Sequence, residues 1–141
     1  GEVEFTPGKG KIVREGTDCT VIACGLMVHK AIEAAQILEK EGISVRVVDI
    51  MSIKPIDKDL IEDCIRTTGA LVSAEEHNVI GGLGAAVAEA MASLDVSAPM
   101  EFVGTKDTFT ESGNYQLLLK KYGLDAEGVI KGIRAVLKRK G

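Results

Sequence analysis

Four short apolar runs, each followed by a stretch of helical period, constrain the fold of this chain more than any other feature. Thr20 to Cys24, Val45 to Ile50, Ala70 to Ala74 and Met100 to Val103 are rich in apolar side chains, as strands buried on both faces are. Between the runs the period changes. Val28, Ala31, Ile32, Ala35 and Leu38 recur at helical spacing, as do Leu83, Ala86, Val87, Ala90, Met91 and Leu94, and each set forms one face of a helix. Leu60, Ile61, Cys64 and Ile65 mark a third helix, with Asp57 as N-cap and Gly69 at its end. Val129, Ile130, Ile133, Val136 and Leu137 mark the last, capped by Asp125, and a short helix is predicted near Tyr115 to Tyr122. Lys11 to Gly16 reads as an edge strand guarded by its charges. This alternation predicts an α/β three-layer sandwich with a mainly parallel sheet of about five strands. Right-handed crossovers put helices on both faces.

Gly1 to Gly10 hold three glycines and a proline and read as an incoming linker. Residues 11–141 are then one domain, long enough for a sizeable core. The formal net charge of -4 gives no basic field for nucleic acid. No apolar run approaches a membrane span and no signal peptide opens the chain, so a soluble protein is expected. Cys19, Cys24 and Cys64 are odd in number and lack C-x-x-C spacing. They suit a reducing cytoplasm, and Cys24 and Cys64 read as core residues.

The chemistry-bearing stretch is Glu75-Glu76-His77-Asn78, directly after the third strand, running through Gly81, Gly82 and Gly84 into a helix. A polar crest at a strand end and a Gly-rich helix start form the working edge of many α/β proteins. His77 has the ionisation range of a general base, and Glu75 or Glu76 could orient it. However, no nucleophile elbow accompanies it, and a polar residue at a domain contact explains His77 more simply. His29, in the first helical turn, reads as a surface or interface residue. Gly82-Leu83-Gly84-Ala85-Ala86-Val87 is a poor match to the dinucleotide fingerprint, since it follows the third strand and ends in valine. An anion at this helix start is physically allowed, and close packing against another domain explains the glycines equally well. Gly82 is expected either to hold positive φ or to leave no room for a Cβ. The acids Asp57, Asp59, Glu62 and Asp63 suit a helix N-terminus and lack the pattern of a calcium loop. The residues alone thus give an interface or an anion site at the crest, with no catalytic set and no metal site.

Taken in order, the motifs say more. Val45-Arg46-Val47-Val48-Asp49, Ile53-Lys54-Pro55-Ile56-Asp57, Glu75-Glu76-His77 running into Gly81-Gly82-Leu83-Gly84, Gly104-Thr105-Lys106-Asp107-Thr108-Phe109 and Tyr122-Gly123-Leu124 together resemble the C-terminal domain of the transketolase family of thiamine-diphosphate enzymes. The resemblance runs from about Gly10 to Arg139. Glu76-His77-Asn78 before the glycines, with Asp107-Thr108-Phe109 and Gly113, is most similar to the shorter subunit of split transketolases. It implies a cytoplasmic parent enzyme, a homodimer of the pentose phosphate pathway. That enzyme moves a two-carbon ketol unit from a ketose phosphate to an aldose phosphate. Thiamine diphosphate and Mg²⁺ (or Ca²⁺) would sit in the partner domains or subunit. This chain has no Gly-Asp-Gly and would serve assembly, inactive by itself. The same resemblance admits 1-deoxyxylulose-5-phosphate synthase and the beta subunit of 2-oxo-acid dehydrogenases. A free-standing phosphate- or nucleotide-binding module is the reading from another class.

Overall fold

A computed structural model of the chain describes residues 9–76, 82–104 and 125–140. Nine elements follow in order: β1 Lys11–Arg14, β2 Cys19–Ala23, α1 Leu26–Glu39, β3 Val45–Asp49, α2 Lys58–Thr68, β4 Leu71–Ala74, α3 Leu83–Ala92, β5 Met100–Val103 and α4 Ala126–Lys140. The strands form one sheet in the order β1-β3-β2-β4-β5. The β3-β2, β2-β4 and β4-β5 pairs are parallel, while β1 runs antiparallel along β3 with a register shift between Ile12 and Arg14. The predicted mainly parallel five-stranded sandwich is the observed fold.

The three inner strands are buried on both faces because successive side chains go to opposite sides. Val21, Val47 and Val72 face one layer with Met27, Leu38, Ile133 and Val136 of α1 and α4. Ile22, Val48 and Leu71 face the other with Ile61, Ile65, Leu83 and Val87 of α2 and α3. The terminators fall where the residues place them. Asp57 Oδ1 accepts from the Leu60 N–H at 3.1 Å, and its Oδ2 accepts from Gly10 N–H at 3.0 Å. One carboxylate thus caps α2, a contribution of about 1 kcal/mol, and also fastens the chain entering β1. Gly69 closes α2 at φ 68°, a left-handed position that glycine reaches without a Cβ penalty. Asp125 Oδ1 accepts from Gly128 N–H at 3.1 Å at the start of α4.

Cys64 is core, as expected, but Cys24 is only half-buried because it lies just past the end of β2. Cys19 is fully buried as well, and that burial lifts its pKa to about 12. Arg46 on β3 is also buried and reaches out to Glu15 at 3.0 Å and Asp63 at 2.9 Å. The predicted helix near Tyr115 to Tyr122 and residues 1–8 of the expected linker lie outside the described residues.

Candidate functional site

The topology singles out one place. β2 and β4 are parallel neighbours, yet α1 leaves β2 toward one face and α3 leaves β4 toward the other. Where neighbouring connections diverge, the carboxyl ends of the strands frame a crevice, which is the usual ligand position in open α/β sheets. Cys24, Gly25, Glu75 and Glu76 occupy that edge.

Both helices that start there lack a cap of their own. The N-caps of α1 and α3 are Gly25 and Gly82, neither of which has a side-chain oxygen to offer, so each helix needs an acceptor from elsewhere. The crest supplies both. Glu76 Oε1 accepts from the Leu26 N–H at 3.0 Å, and Glu75 Oε2 accepts from the Gly84 N–H at 2.8 Å. A carboxylate on the positive end of a helix dipole adds electrostatic stabilisation to the hydrogen bond. Gly25 sits at φ 61°, ψ -138°, a region closed in practice to residues with a Cβ. A Cβ there would also lie 3.2 Å from Glu76 Oε1.

Glu75 and Glu76 therefore point inward to the helix starts. Glu75 is 5% exposed. His77, Asn78 and Gly81 lie outside the described residues. Gly82 holds φ -96°, backbone that any residue adopts, so positive φ is not the reason for glycine there. A close approach is found at Gly84, two residues on. A Cβ there would meet the Phe102 ring at 2.4 Å and Ser73 Oγ at 2.7 Å. The missing caps at Gly25 and Gly82 were the signal in the sequence that distant acceptors were needed. His29 is exposed on α1, as expected.

Cys24 is a half-buried thiol at this edge, directly before Gly25. Its burial raises its pKa, and the negative charges of Glu75, Glu76 and Asp49 raise it further. A thiol held protonated in this way is a poor nucleophile at neutral pH. Cys24 is therefore expected to alkylate with iodoacetamide at pH 8 more slowly than a free cysteine. Labelling at the free rate would show that the acids do not suppress its thiolate. Among the described residues no three of His, Cys, Asp and Glu converge to hold a metal ion.

Residues 8–129 match the family described as transketolase, C-terminal domain. The chain belongs to the transketolase family, as its C-terminal domain. The transketolase-family relatives are informative in their lengths as well. A putative transketolase C-terminal section of Methanocaldococcus jannaschii is 42% identical over 138 residues, covering 98% of this chain and 43% of that protein. A 1-deoxy-D-xylulose-5-phosphate synthase of Chlorobium luteolum is 40% identical over 128 residues, 91% of this chain and 20% of its own length. A solved structure titled split gene transketolase, inactive beta4 tetramer, superposes with a TM-score of 0.91 at 47% identity, over 99% of this chain and 45% of that one. The chain thus spans less than half the length of each of these transketolase-family proteins.

Proposed function

We propose that this domain is an assembly module of a transketolase whose complete form transfers a two-carbon ketol unit from a ketose phosphate to an aldose phosphate. The observation that carries the reading is the filled crevice. Glu76 and Glu75 each already sit on one N–H at the starts of α1 and α3, among the donors that an incoming phosphate or nucleotide would need. A second anion beside them would meet two carboxylates. That disfavours the nucleotide-module reading and leaves the crest residues beyond Glu76 as the contact surface, with His77 and Asn78 as interface residues.

Thiamine diphosphate supplies the carbanion-stabilising ylid in such an enzyme. The donor set of this chain does not fit the group: the sequence has no Gly-Asp-Gly, and the crest carboxylates are committed to helix starts. We therefore place thiamine diphosphate and Mg²⁺ on partner domains or a partner subunit, in a homodimer of the parent enzyme. Three free thiols suit a reducing compartment, and on that ground we propose the cytoplasm as the location.

Calorimetric titration of the chain with thiamine diphosphate and Mg²⁺ is expected to give no saturable heat at micromolar concentrations. One-site micromolar binding would overturn the assignment of roles. The synthase relative keeps a second reaction in view. Supplying the complete enzyme with a ketose phosphate and an aldose phosphate, then with pyruvate and glyceraldehyde 3-phosphate, separates the two. Turnover only in the second mixture would make the parent a synthase.

A further inference from the structure

At the same sheet edge as the crest, but on the α2 and α3 side, a groove of about 450 Å³ opens between the loop that leads into α2 and the exposed side of α3. Ile53 and Pro55 form one wall, and Ala85 and Ala86 form the other. Small side chains on α3 let another backbone come close, while the opposite wall offers apolar area to an anchoring side chain. Lys54 and Lys58 stand on the rim, both exposed, with neither a hydrogen bond nor an ion pair among the described residues. Each of the five arginines, by contrast, is paired with a carboxylate. One acid, Glu89, also lines the groove. Gly82, the N-cap of α3 at the end of the crest stretch, also lines the groove.

We propose that this groove seats an acidic segment of the neighbouring thiamine-diphosphate-binding domain or subunit. Its apolar side chains rest between Pro55 and Ala86, and its carboxylates meet Lys54 and Lys58. The inference rests on the assembly reading above. The choice of occupant follows from charge and from length. Two adjacent cations beside an apolar cleft select an acidic partner over a neutral or basic one. More than half of each compared relative lies outside the matched region, so such a segment has ample chain to come from. A second copy of this domain, with its net charge of -4, and a free small anion are the other occupants that the test separates.

Carbodiimide coupling of the complete enzyme is the test, because it joins an amine only to a carboxylate in contact with it. Peptide mass spectrometry is expected to find Lys54 or Lys58 linked to an Asp or Glu outside this domain. Ala86→Trp, which fills the groove, is expected to lower that yield about fivefold while the circular dichroism stays that of wild type. Lys54→Glu with Lys58→Glu, both at exposed positions that do not threaten folding, should weaken docking about tenfold. This is read as faster hydrogen exchange in residues 53–58 of the assembled enzyme. Links only to acids of this domain or of a second copy overturn the proposal. So does saturable binding of inorganic phosphate at the two lysines with no link formed. His77→Ala in the same enzyme reads the assembly function separately. If that variant loosens assembly while the lysine links are absent, the groove alone is misassigned. If neither effect appears, the assembly reading fails as well.

Discussion

Gly16→Ala is expected to lower the stability of the domain by about 3 kcal/mol, near the upper end of what overpacking costs. A Cβ at this position would lie 2.2 Å from the carbonyl carbon of Val45 and 2.3 Å from the amide nitrogen of Arg46. Both are main-chain atoms at the start of β3, so no rotamer change relieves the clash. The sheet must instead part where β3 begins. Against a domain stability of roughly 5–15 kcal/mol this is a large loss. Gly42→Ala is the natural control. Gly42 holds φ 80° with nothing within 4 Å of a Cβ, so only backbone strain acts there, at about 1 kcal/mol. Urea melts should show a lower midpoint with an unchanged slope for both, and the larger drop for Gly16→Ala. Equal drops would mean that β3 yields more readily than its pairing on both sides implies.

Glu75→Leu is expected to cost about 2 kcal/mol, for a different reason. The leucine leaves the Gly84 N–H, now served at 2.8 Å, facing an apolar side chain, and an unpaired buried donor bears the full desolvation penalty. Glu75→Gln keeps an oxygen of the right reach and loses only the charge, so about half that cost is expected. The difference between the two variants, measured by denaturant melts under one set of conditions, isolates the acceptor from the charge. If leucine and glutamine destabilise equally, the hydrogen bond is not what Glu75 contributes. In the complete enzyme the leucine variant should also loosen assembly, since α3 and the crest leave β4 together.

The elements were legible because their signals are local. The apolar runs at Val45 and Met100, the Asp57 cap and the Gly69 stop each depend on side chains a few residues apart, and each stands where the pattern put it. What was not legible depends on distance in space. Glu75 and Glu76 read as part of an interface or anion site at the crest, because a polar stretch past a strand end is a usual working edge. Only the crossing of α1 and α3 over one sheet edge turns them inward. Gly82 drew attention as a glycine at a strand-to-helix turn, but at Gly84 the ring that a Cβ would meet, Phe102, comes from a strand eighteen residues further on. Cys24 looked like core by its neighbours in sequence, and the chain had already left the sheet when it reached that thiol. Gly16 carried no signal at all, since its constraint is the main chain of Val45 and Arg46.

Glu75 and Glu76 are consecutive residues, yet they grip helices on opposite sides of the sheet, α3 at Gly84 and α1 at Leu26. In mechanical terms the end of β4 is a yoke. A load applied to the crest by a docked partner is shared at once between the two helical layers, and neither can tilt at this edge without dragging the other. On the proposed assembly role, the domain would meet its neighbour as a stiff block, with any hinge of the assembled enzyme outside this edge of the sheet.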